Sequence, residues 1–569
     1  MIAFTGRALR LLSYEVRGLH AAAYVIAISA FLSSLLALLR DRLLAHAFGA
    51  STTLDIYYAA FRIPDLIFVA TGALVSVYIL IPELSRRSGA EQRAYIDTIL
   101  IGFSALAVVA AGTAALVAPT LLSSLFPNLA ETGNLPELVM LTRLMLLQPV
   151  LLGLSNILAA ITQIRGRYAL YSISPLLYNI GIICGIAIFY PLWGTLGLGV
   201  GVVLGAVAHA GVQIPSVFGD GFFRALPRLG NPRVLWQTMS VSVPRALALS
   251  MNQVSFIGLT ALAATLSSGS IAIFMFAYNL QAVPLAIVGA SYSVAAFPTL
   301  AAALARGERD LFISHIATAA RYVVFWSLPA TALIIVLRAY MVRVVLGTGA
   351  FDWTDTRLTS AALALLSVSL VAQGLLLLLV RGYYAAGRTF VPFFVSLTTA
   401  LATVVLGAAL LGVFQNQWVA YVVQQALRVV DVPGSSVLAL AFAYACTSIL
   451  GAVILTVHFE RRFSGFIAAV WASWAQSAVA AVCAGTGAYL LLALIGPITF
   501  ASTTFSVFTK GFAAGAFGII VAGLAYAVLG SREYAEVAES MLGRLRGIRI
   551  PIPESAVASA EEGSPTTLQ

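Results

Sequence analysis

Charge is the scarcest property of this 569-residue chain. Asp, Glu, Lys and Arg together make up 9% of the residues, against about a quarter in an ordinary soluble domain. Hydrophobic residues make up 60%, and the mean hydropathy is +0.97. So few charged groups do not cover the water-exposed surface of a soluble protein of this size. The composition therefore indicates an integral membrane protein.

Lysine is nearly absent, since Lys510 is the single lysine beside 31 arginines. The formal net charge of +10 does not predict nucleic-acid binding, because the arginines are spread over many loops and form no basic patch. Most of them fall in loops on one side of the membrane if the N-terminus is inside. The positive-inside rule then predicts that both termini are cytoplasmic.

Cysteine, histidine and acidic residues are too few and too scattered for the usual catalytic or metal sites. Cys184, Cys446 and Cys483 lie in apolar runs at unrelated spacings, and the five histidines are dispersed. No Walker lysine, no HExxH motif and no pair of carboxylates within an apolar run is present. The sequence therefore predicts no metal site, no cofactor and no enzymatic reaction.

Apolar runs of about 20 residues, the length that crosses a bilayer as a helix, recur along the whole chain. No stretch alternates with the period of two that a membrane β-barrel requires. We expect an all-α polytopic membrane protein of about 14 spans. The predicted spans are 20–39, 56–82, 98–118, 138–162, 169–190, 193–215, 237–265, 270–298, 317–337, 359–384, 390–413, 433–457, 466–495 and 511–530.

Short similarities recur at nearly one offset in the two halves of the chain. Residues 60–63 match 277–280, 82–84 match 298–300, and 166–167 match 387–388. Six spans separate the copies, which predicts two parallel, pseudo-symmetric six-helix lobes related by an axis along the membrane normal. The predicted divisions are a cytoplasmic segment 1–19, a first lobe 20–232, a second lobe 233–460, two further spans in 461–531, and a cytoplasmic surface helix with a disordered tail in 532–569.

Residues 40–65, RDRLLAHAFGASTTLDIYYAAFRIPD, concentrate charge beside two apolar runs. Ionisable groups at membrane depth cost roughly 2.5–3.5 kcal/mol each at a span centre and usually mark a functional cavity. This stretch resembles the MurJ (MviN) family of lipid II flippases, in the multidrug/oligosaccharidyl-lipid/polysaccharide exporter superfamily. The resemblance is carried by Arg40-Asp41-Arg42, Phe48-Gly49-Ala50, Asp55, residues 60–64, Gly72-Ala73-Leu74, Pro82, Pro175, Asn179, Asn252-Gln253, Pro284, residues 296–298, Arg381 and Tyr383-Tyr384.

The resemblance implies a flippase of the bacterial cytoplasmic membrane that moves an undecaprenyl-pyrophosphate-linked disaccharide-peptide to the outer leaflet. Its last two spans would help to form a groove for the lipid tail. Arginine suits such a headgroup because its planar fork donates two hydrogen bonds to phosphate oxygens. The predicted substrate-binding residues are Arg40, Arg42, Asp55, Arg62 and Asn279, with Arg143 and Arg245 as possible substitutes for missing cations.

Some of these residues fit structural roles equally well. Asp55 could cap the second span, and Arg62 could form an ion pair with Asp55 or Asp65. Pro64 and Pro284 lie at similar depth in the second and eighth spans, where proline bends a helix. We predict that these two prolines act as hinges, although kinks that serve packing alone remain an alternative.

The chain departs from the family pattern at three positions where the resemblance implies a cation. Ser34, Phe68 and Asn279 stand there instead. Some family members are thought to bind Na⁺ through a carboxylate of the second lobe, and no acidic candidate is found here. The departures leave Arg40, Arg42 and Arg62 to contact a headgroup.

Three functions stay open at this point. The first is lipid II translocation by alternating access of the two lobes, with membrane lipids and, in addition, cell-wall synthesis or division proteins as partners. The second is export of another polyprenyl-linked glycan, or of drugs in the manner of MATE transporters. The third is a non-transporting scaffold for cell-wall enzymes, which the missing arginines would permit.

Overall fold

The computed structural model describes residues 19–222, 227–228, 230, 232–499 and 502–545. All regular elements in these ranges are helical, which confirms the predicted all-α class. The predicted N-terminal segment up to residue 18 and the predicted tail beyond residue 545 lie outside the described residues.

We number the longer helices in chain order. They are α1 (Leu19–Phe48), α2 (four short pieces within 52–85), α3 (Gly89–Leu125), α4 (Leu135–Ile164), α5 (Tyr168–Trp193), α6 (Thr195–Gly219), α7 (Pro232–Ala263), α8 (Ser270–Ala305), α9 (Arg309–Val345), α10 (Trp353–Ser367 and Leu370–Ala385), α11 (Phe390–Phe414), α12 (Val437–Arg462), α13 (Phe466–Ile495), α14 (Thr504–Val528) and α15 (Arg532–Leu545). Two short helices, Pro127–Glu131 and Gln417–Leu427, lie in connections.

Eleven of the described helices are long and apolar enough to cross a membrane, and the two parts of α10, bent by 45°, make up to twelve. The other two predicted spans fall on α1 and on the broken α2. The structure thus agrees with a polytopic membrane protein of roughly the expected size, and the number fourteen stays a prediction.

The charged stretch contains the joint between α1 and α2, at residues 49–51, but the first helix extends further into it than we predicted. Helix α1 continues to Phe48, so Arg40, Asp41 and Arg42 lie within it. Helix α2 is interrupted after Ala60, and a new piece runs from Arg62 to Gly72. Pro64 lies in the first turn of that piece, where its missing N–H costs no hydrogen bond.

The packing of α1–α6 recurs in α7–α12. In the first set α1 packs on α5, α5 on α6, α4 on α6 and α2, and α3 on α4. The same contacts join α7 to α11, α11 to α12, α10 to α12 and α8, and α9 to α10. This recurrence agrees with the two six-helix lobes that the internal similarity predicts, and we call α1–α6 the first lobe and α7–α12 the second lobe. Helices α13 and α14 pack on each other and on α9.

Glycines allow α5 and α6 to approach each other closely. A Cβ atom on Gly181 would lie 2.3 Å from the Cα of Gly205, and one on Gly201 would lie 2.4 Å from the Cα of Gly185. Small residues at such a contact let two helix backbones touch in a membrane. The glycine-rich stretch in 194–205 therefore serves helix packing.

Candidate functional site

Asp41 is the centre of a hydrogen-bond network that joins the two lobes. Arg40 donates to Asp41 Oδ1 from Nε at 3.0 Å and from Nη2 at 2.8 Å. The amide of Asn279, on α8 of the second lobe, donates to Asp41 Oδ2 at 3.1 Å. Asp41 is buried, while the Arg40 side chain keeps 22% of its surface exposed. Arg40 is thus a partly accessible cation held in a fixed orientation by a buried carboxylate.

Asn179 of α5 extends this network within the first lobe. Its Oδ1 accepts from Arg40 Nη1 at 3.3 Å, and its Nδ2 donates to Ser33 Oγ at 3.3 Å. The prediction named Arg40 and Asn279 as site residues and quoted Asp41 and Asn179 only as part of the family resemblance. The position of Asp41 between two arginines inside an apolar run was the signal that could have identified it.

Arg62 lies at the interface of the lobes but outside this network. It is only 4% exposed, its Nε donates to the carbonyl oxygen of Tyr58 at 3.0 Å, and its guanidinium carbon lies 5.7 Å from the ring centroid of Phe256 on α7. Among the described residues it forms no close salt bridge with Asp55 or Asp65, and Asp65 attracts it only as a more distant opposite charge. A cation–π contact with the second lobe takes the place of a salt bridge.

Asp55 caps a helix, though not the one we expected. Its carboxylate accepts from the backbone N–H of Gly269 at 2.7 Å and from that of Ala272 at 3.0 Å, which are free donors at the start of α8. The N-cap residue of its own helix is Ser51. Asp55 is 5% exposed. In this structure the predicted binding residue therefore forms a contact between the lobes.

Arg42 also forms hydrogen bonds between the lobes. Its Nη1 donates to the carbonyl oxygens of Val344 at 2.5 Å and Val345 at 3.2 Å, which are the last turn of α9. Cations are favourable at helix C-termini because of the helix dipole. Around it, the backbone N–H of Ala350 donates to the carbonyl oxygen of His46 at 2.9 Å. We call this region, where α1 ends and α8 and α10 begin, the α1–α2 end of the bundle.

The two substitute cations lie apart from the network. Arg143 is exposed and donates from Nε to the carbonyl oxygen of Ala115 at 2.9 Å. Arg245 is half-buried on α7 and interacts electrostatically with Tyr384 of α10. The structure therefore brings Arg40 and Asn279 together, places Arg62 at the same interface, and leaves Arg143 and Arg245 elsewhere.

A cavity of ≈ 480 Å³ opens among helices of the second lobe and Val69 of α2, and its lining includes Tyr384, with which Arg245 interacts. Its described lining contains no Asp, Glu, Lys or Arg, although we expected a cationic cavity. Apolar side chains line it together with amide and hydroxyl groups, which come from Asn252, Gln253, Ser255, Tyr278, Gln373, Tyr384, Ser396, Thr399, Thr403, Tyr444, Thr447 and Ser448. Our site prediction missed these residues, because neutral polar residues in apolar runs give no signal that separates a cavity from helix packing.

Pro284 lies where α8 leaves α-helical geometry. The α-helical part ends at Pro284, and Leu285–Ala290 form a π-helical segment. Such segments often occur at functional sites in membrane and soluble helices. In the described residues, no group of three or more His, Cys, Asp or Glu side chains is arranged to hold a metal ion.

The family model described as "Lipid II flippase MurJ" matches residues 44–509. The lipid II flippase MurJ of Burkholderia cenocepacia is 25% identical over 390 residues, which cover 65% of this chain and 74% of that protein. The probable lipid II flippase MurJ of Thermotoga maritima is 24% identical over 384 residues, which cover 67% of this chain and 77% of that protein.

Two kinds of solved structure share the fold. A lipid II flippase MurJ in an inward closed conformation gives a TM-score of 0.69 at 19% identity, covering 90% of this chain and 100% of that one. An inward-facing multidrug transporter of the MATE family, from the MOP superfamily, gives a TM-score of 0.63 at 15% identity, covering 78% of this chain and 98% of that one.

Proposed function

The chain belongs to the MurJ family of lipid II flippases, and from this we infer that it moves lipid II across the bacterial cytoplasmic membrane. The observation in the molecule that carries the inference is the Arg40–Asp41–Asn279 contact, which places an oriented cation between two lobes that must separate for a headgroup to pass. The MATE-like exporter is the weaker alternative, since the fold matches MurJ more closely and over more of the chain.

We propose that Arg40 is the first contact of the pyrophosphate. The Arg40 side chain keeps 22% of its surface exposed, and an anion that approaches from the interface would compete with Asp41 for the same donors. Binding would then weaken the link from Asp41 to Asn279 and so favour separation of the lobes. A ligand shifts a conformational equilibrium only by such a difference in contacts between the two states.

The neutral cavity suits the uncharged part of such a substrate. Sugar hydroxyls and peptide amides both donate and accept hydrogen bonds, as do the amide and hydroxyl side chains of the lining. Arginine at the interface would bind the pyrophosphate, and the neutral polar groups in the second lobe would bind the sugars and the peptide. Arg245, which interacts with Tyr384 of the lining, is the remaining candidate for a cation near the bound glycan.

The units that move relative to each other would be the two lobes predicted from the sequence. We propose a first lobe in 20–232, a second lobe in 233–460, and a tail groove formed by the helices in 461–531. Pro64 and Pro284 would act as hinges, because each lies at an interruption of regular α-helix. With both termini cytoplasmic, the α1–α2 end faces outward.

Membrane lipids are the other expected partners, and cell-wall enzymes are partners only by inference from the family. No chemical reaction is expected.

Complementation tests this function. A bacterial host whose own lipid II flippase can be depleted should keep growing when it expresses this chain, and lipid II should stay accessible in its outer leaflet. Lysis on depletion, with normal amounts of the chain in the membrane, would contradict lipid II transport. Drug resistance conferred without rescue of growth would favour the exporter alternative instead.

Substitution of Asn279 should lower the stability of the protein. Asn279→Ala removes one hydrogen bond to a buried carboxylate, worth about 1.5–3 kcal/mol, and should lower the thermal unfolding temperature of the purified protein. Asn279→Asp should lower it further, because two carboxylates would then face each other across the lobes. Equal unfolding temperatures for the wild type and Asn279→Asp would show that the Asp41–Asn279 contact does not hold the lobes together.

A further inference from the structure

A second cavity, of ≈ 670 Å³, lies at the α1–α2 end between α9, α10, α13 and the segment 426–429. Three arginines line it, Arg338, Arg357 and Arg428, and no Asp or Glu is among its described lining residues. Loops at this end of the bundle hold few of the chain's arginines. Three arginines around one cavity are therefore unusual at this end of the bundle, because most arginines of the chain lie at the opposite end.

Two of these arginines lie near each other in the cavity lining. Arg338 is half-buried and donates to the carbonyl oxygens of Ile335 at 3.4 Å and Leu427 at 3.2 Å. Arg428 is near enough to act on Arg338 as a like charge. Arg357 is different, since Asp431 accepts from its Nη1 at 2.8 Å and its Nη2 at 2.7 Å. Arg338 and Arg428 thus form a site with unbalanced positive charge.

The backbone places Arg428 there at a cost. It ends the helix Gln417–Leu427 in the left-handed region, with φ 62° and ψ 45°, and it is the one non-glycine residue with positive φ in the described part of the chain. Glycine takes this conformation freely, whereas a side chain with a Cβ atom is strained there. Strain of this kind is often found where a side chain serves a ligand.

The other wall of the cavity is apolar and faces the membrane. It is formed by α13 and the residues that follow, including Leu492 and Pro497, and the neighbouring Leu490 and Leu494 are strongly exposed. Arg338 lies seven residues before the end of α9 at Val345, which is about 10 Å along a helix. That depth fits the boundary between headgroups and hydrocarbon.

We propose that this cavity binds the phosphate of an anionic membrane lipid, with Arg338 and Arg428 as its ligands and the lipid chains lying along α13. Guanidinium groups form short charge-assisted hydrogen bonds with phosphate oxygens. The apolar wall would take the chains of the lipid, and a bound phosphate would supply the negative charge that the cavity lacks. The site lies away from the Asp41 network and does not depend on lipid II transport.

Native mass spectrometry of the detergent-purified full chain tests the site, with phosphatidylglycerol or phosphatidylcholine titrated in. Phosphatidylglycerol should bind with clear preference, and the double variant Arg338→Gln/Arg428→Gly should weaken that binding by at least about 10-fold. The matched control Arg86→Gln/Arg532→Gln removes two exposed cations elsewhere and should change the affinity by less than about 2-fold.

Arg428→Gly alone separates binding from folding. Glycine relieves the backbone strain, so the unfolding temperature should be equal to or above that of the wild type while phosphatidylglycerol binding falls. Arg428→Lys keeps the charge and should retain part of the binding. Equal loss of binding in the control variant, or equal binding of phosphatidylcholine, would overturn the proposal. Binding of inorganic phosphate as tight as that of phosphatidylglycerol would overturn the assignment to a lipid.

Discussion

Asp55→Ala should release the second lobe from the first at the α1–α2 end and abolish transport. The change leaves two buried N–H groups at the start of α8 without acceptors. Loss of a buried, charged partner of this kind costs about 2–5 kcal/mol. Hydrogen exchange of the segment 266–272 should rise, and the unfolding temperature of the purified protein should fall.

Two comparisons make this result specific. Asp55→Asn keeps one carbonyl oxygen as an acceptor, so its effects should be clearly smaller. Asp220→Ala removes a carboxylate that pairs with Arg167 at 2.8 Å within the first lobe; it should lower stability without faster exchange in 266–272. If Asp55→Ala leaves both exchange and growth of the complemented host unchanged, Asp55 does not join the lobes.

Residues that meet across the lobes locate the symmetry axis that the repeats imply. Thr52 Oγ1 lies 2.6 Å from Ser268 Oγ, at a sequence separation of 216, and Asp55 binds Ala272 at a separation of 217. These separations equal two of the repeat offsets, 216 between 82–84 and 298–300 and 217 between 60–63 and 277–280. In a two-fold arrangement, only residues near the axis touch their own equivalents. The axis therefore passes close to Thr52 and Asp55.

The sequence predicted the all-helical membrane fold and the repeat because both depend on patterns spread over many residues. Long apolar runs need a membrane, whatever their neighbours, and an offset shared by several segments survives the divergence of any one of them. The location of the charged stretch was harder to predict. Apolar residues after Arg42 continue the helical pattern to Phe48, but the three charged residues 40–42 favoured ending the span before them.

Side-chain roles within the charged stretch could not be read from the sequence for a different reason. Asp55 follows Ser51 at the start of a helix, which favours a local cap, yet its partners are 214 and 217 residues away. Arg42 looks as suitable for phosphate as Arg40 does. Only the fold shows that Arg42 donates to carbonyl oxygens at the end of α9, whereas Arg40 donates to the side chains of Asp41 and Asn179.

Arg40→Ala should abolish complementation in a flippase-depleted host. The variant removes the partly exposed cation of the Asp41 network and leaves Asp41, buried between the lobes, with Asn279 as its remaining hydrogen-bond partner among the described residues. A negative charge would then stand where a pyrophosphate must pass, and like charges repel strongly at low dielectric. Loss of growth should accompany loss of outer-leaflet lipid II at normal expression.

Arg40→Lys distinguishes headgroup binding from charge balance alone. Lysine neutralises Asp41 but lacks the planar fork that binds two phosphate oxygens together with a second partner. If Arg40 binds the pyrophosphate, Arg40→Lys should keep the unfolding temperature close to that of the wild type and still transport poorly. Full growth of Arg40→Lys would assign Arg40 a structural role only. In that case Arg62, the other arginine at the interface, would become the stronger candidate, and Arg62→Ala would be the variant expected to block transport.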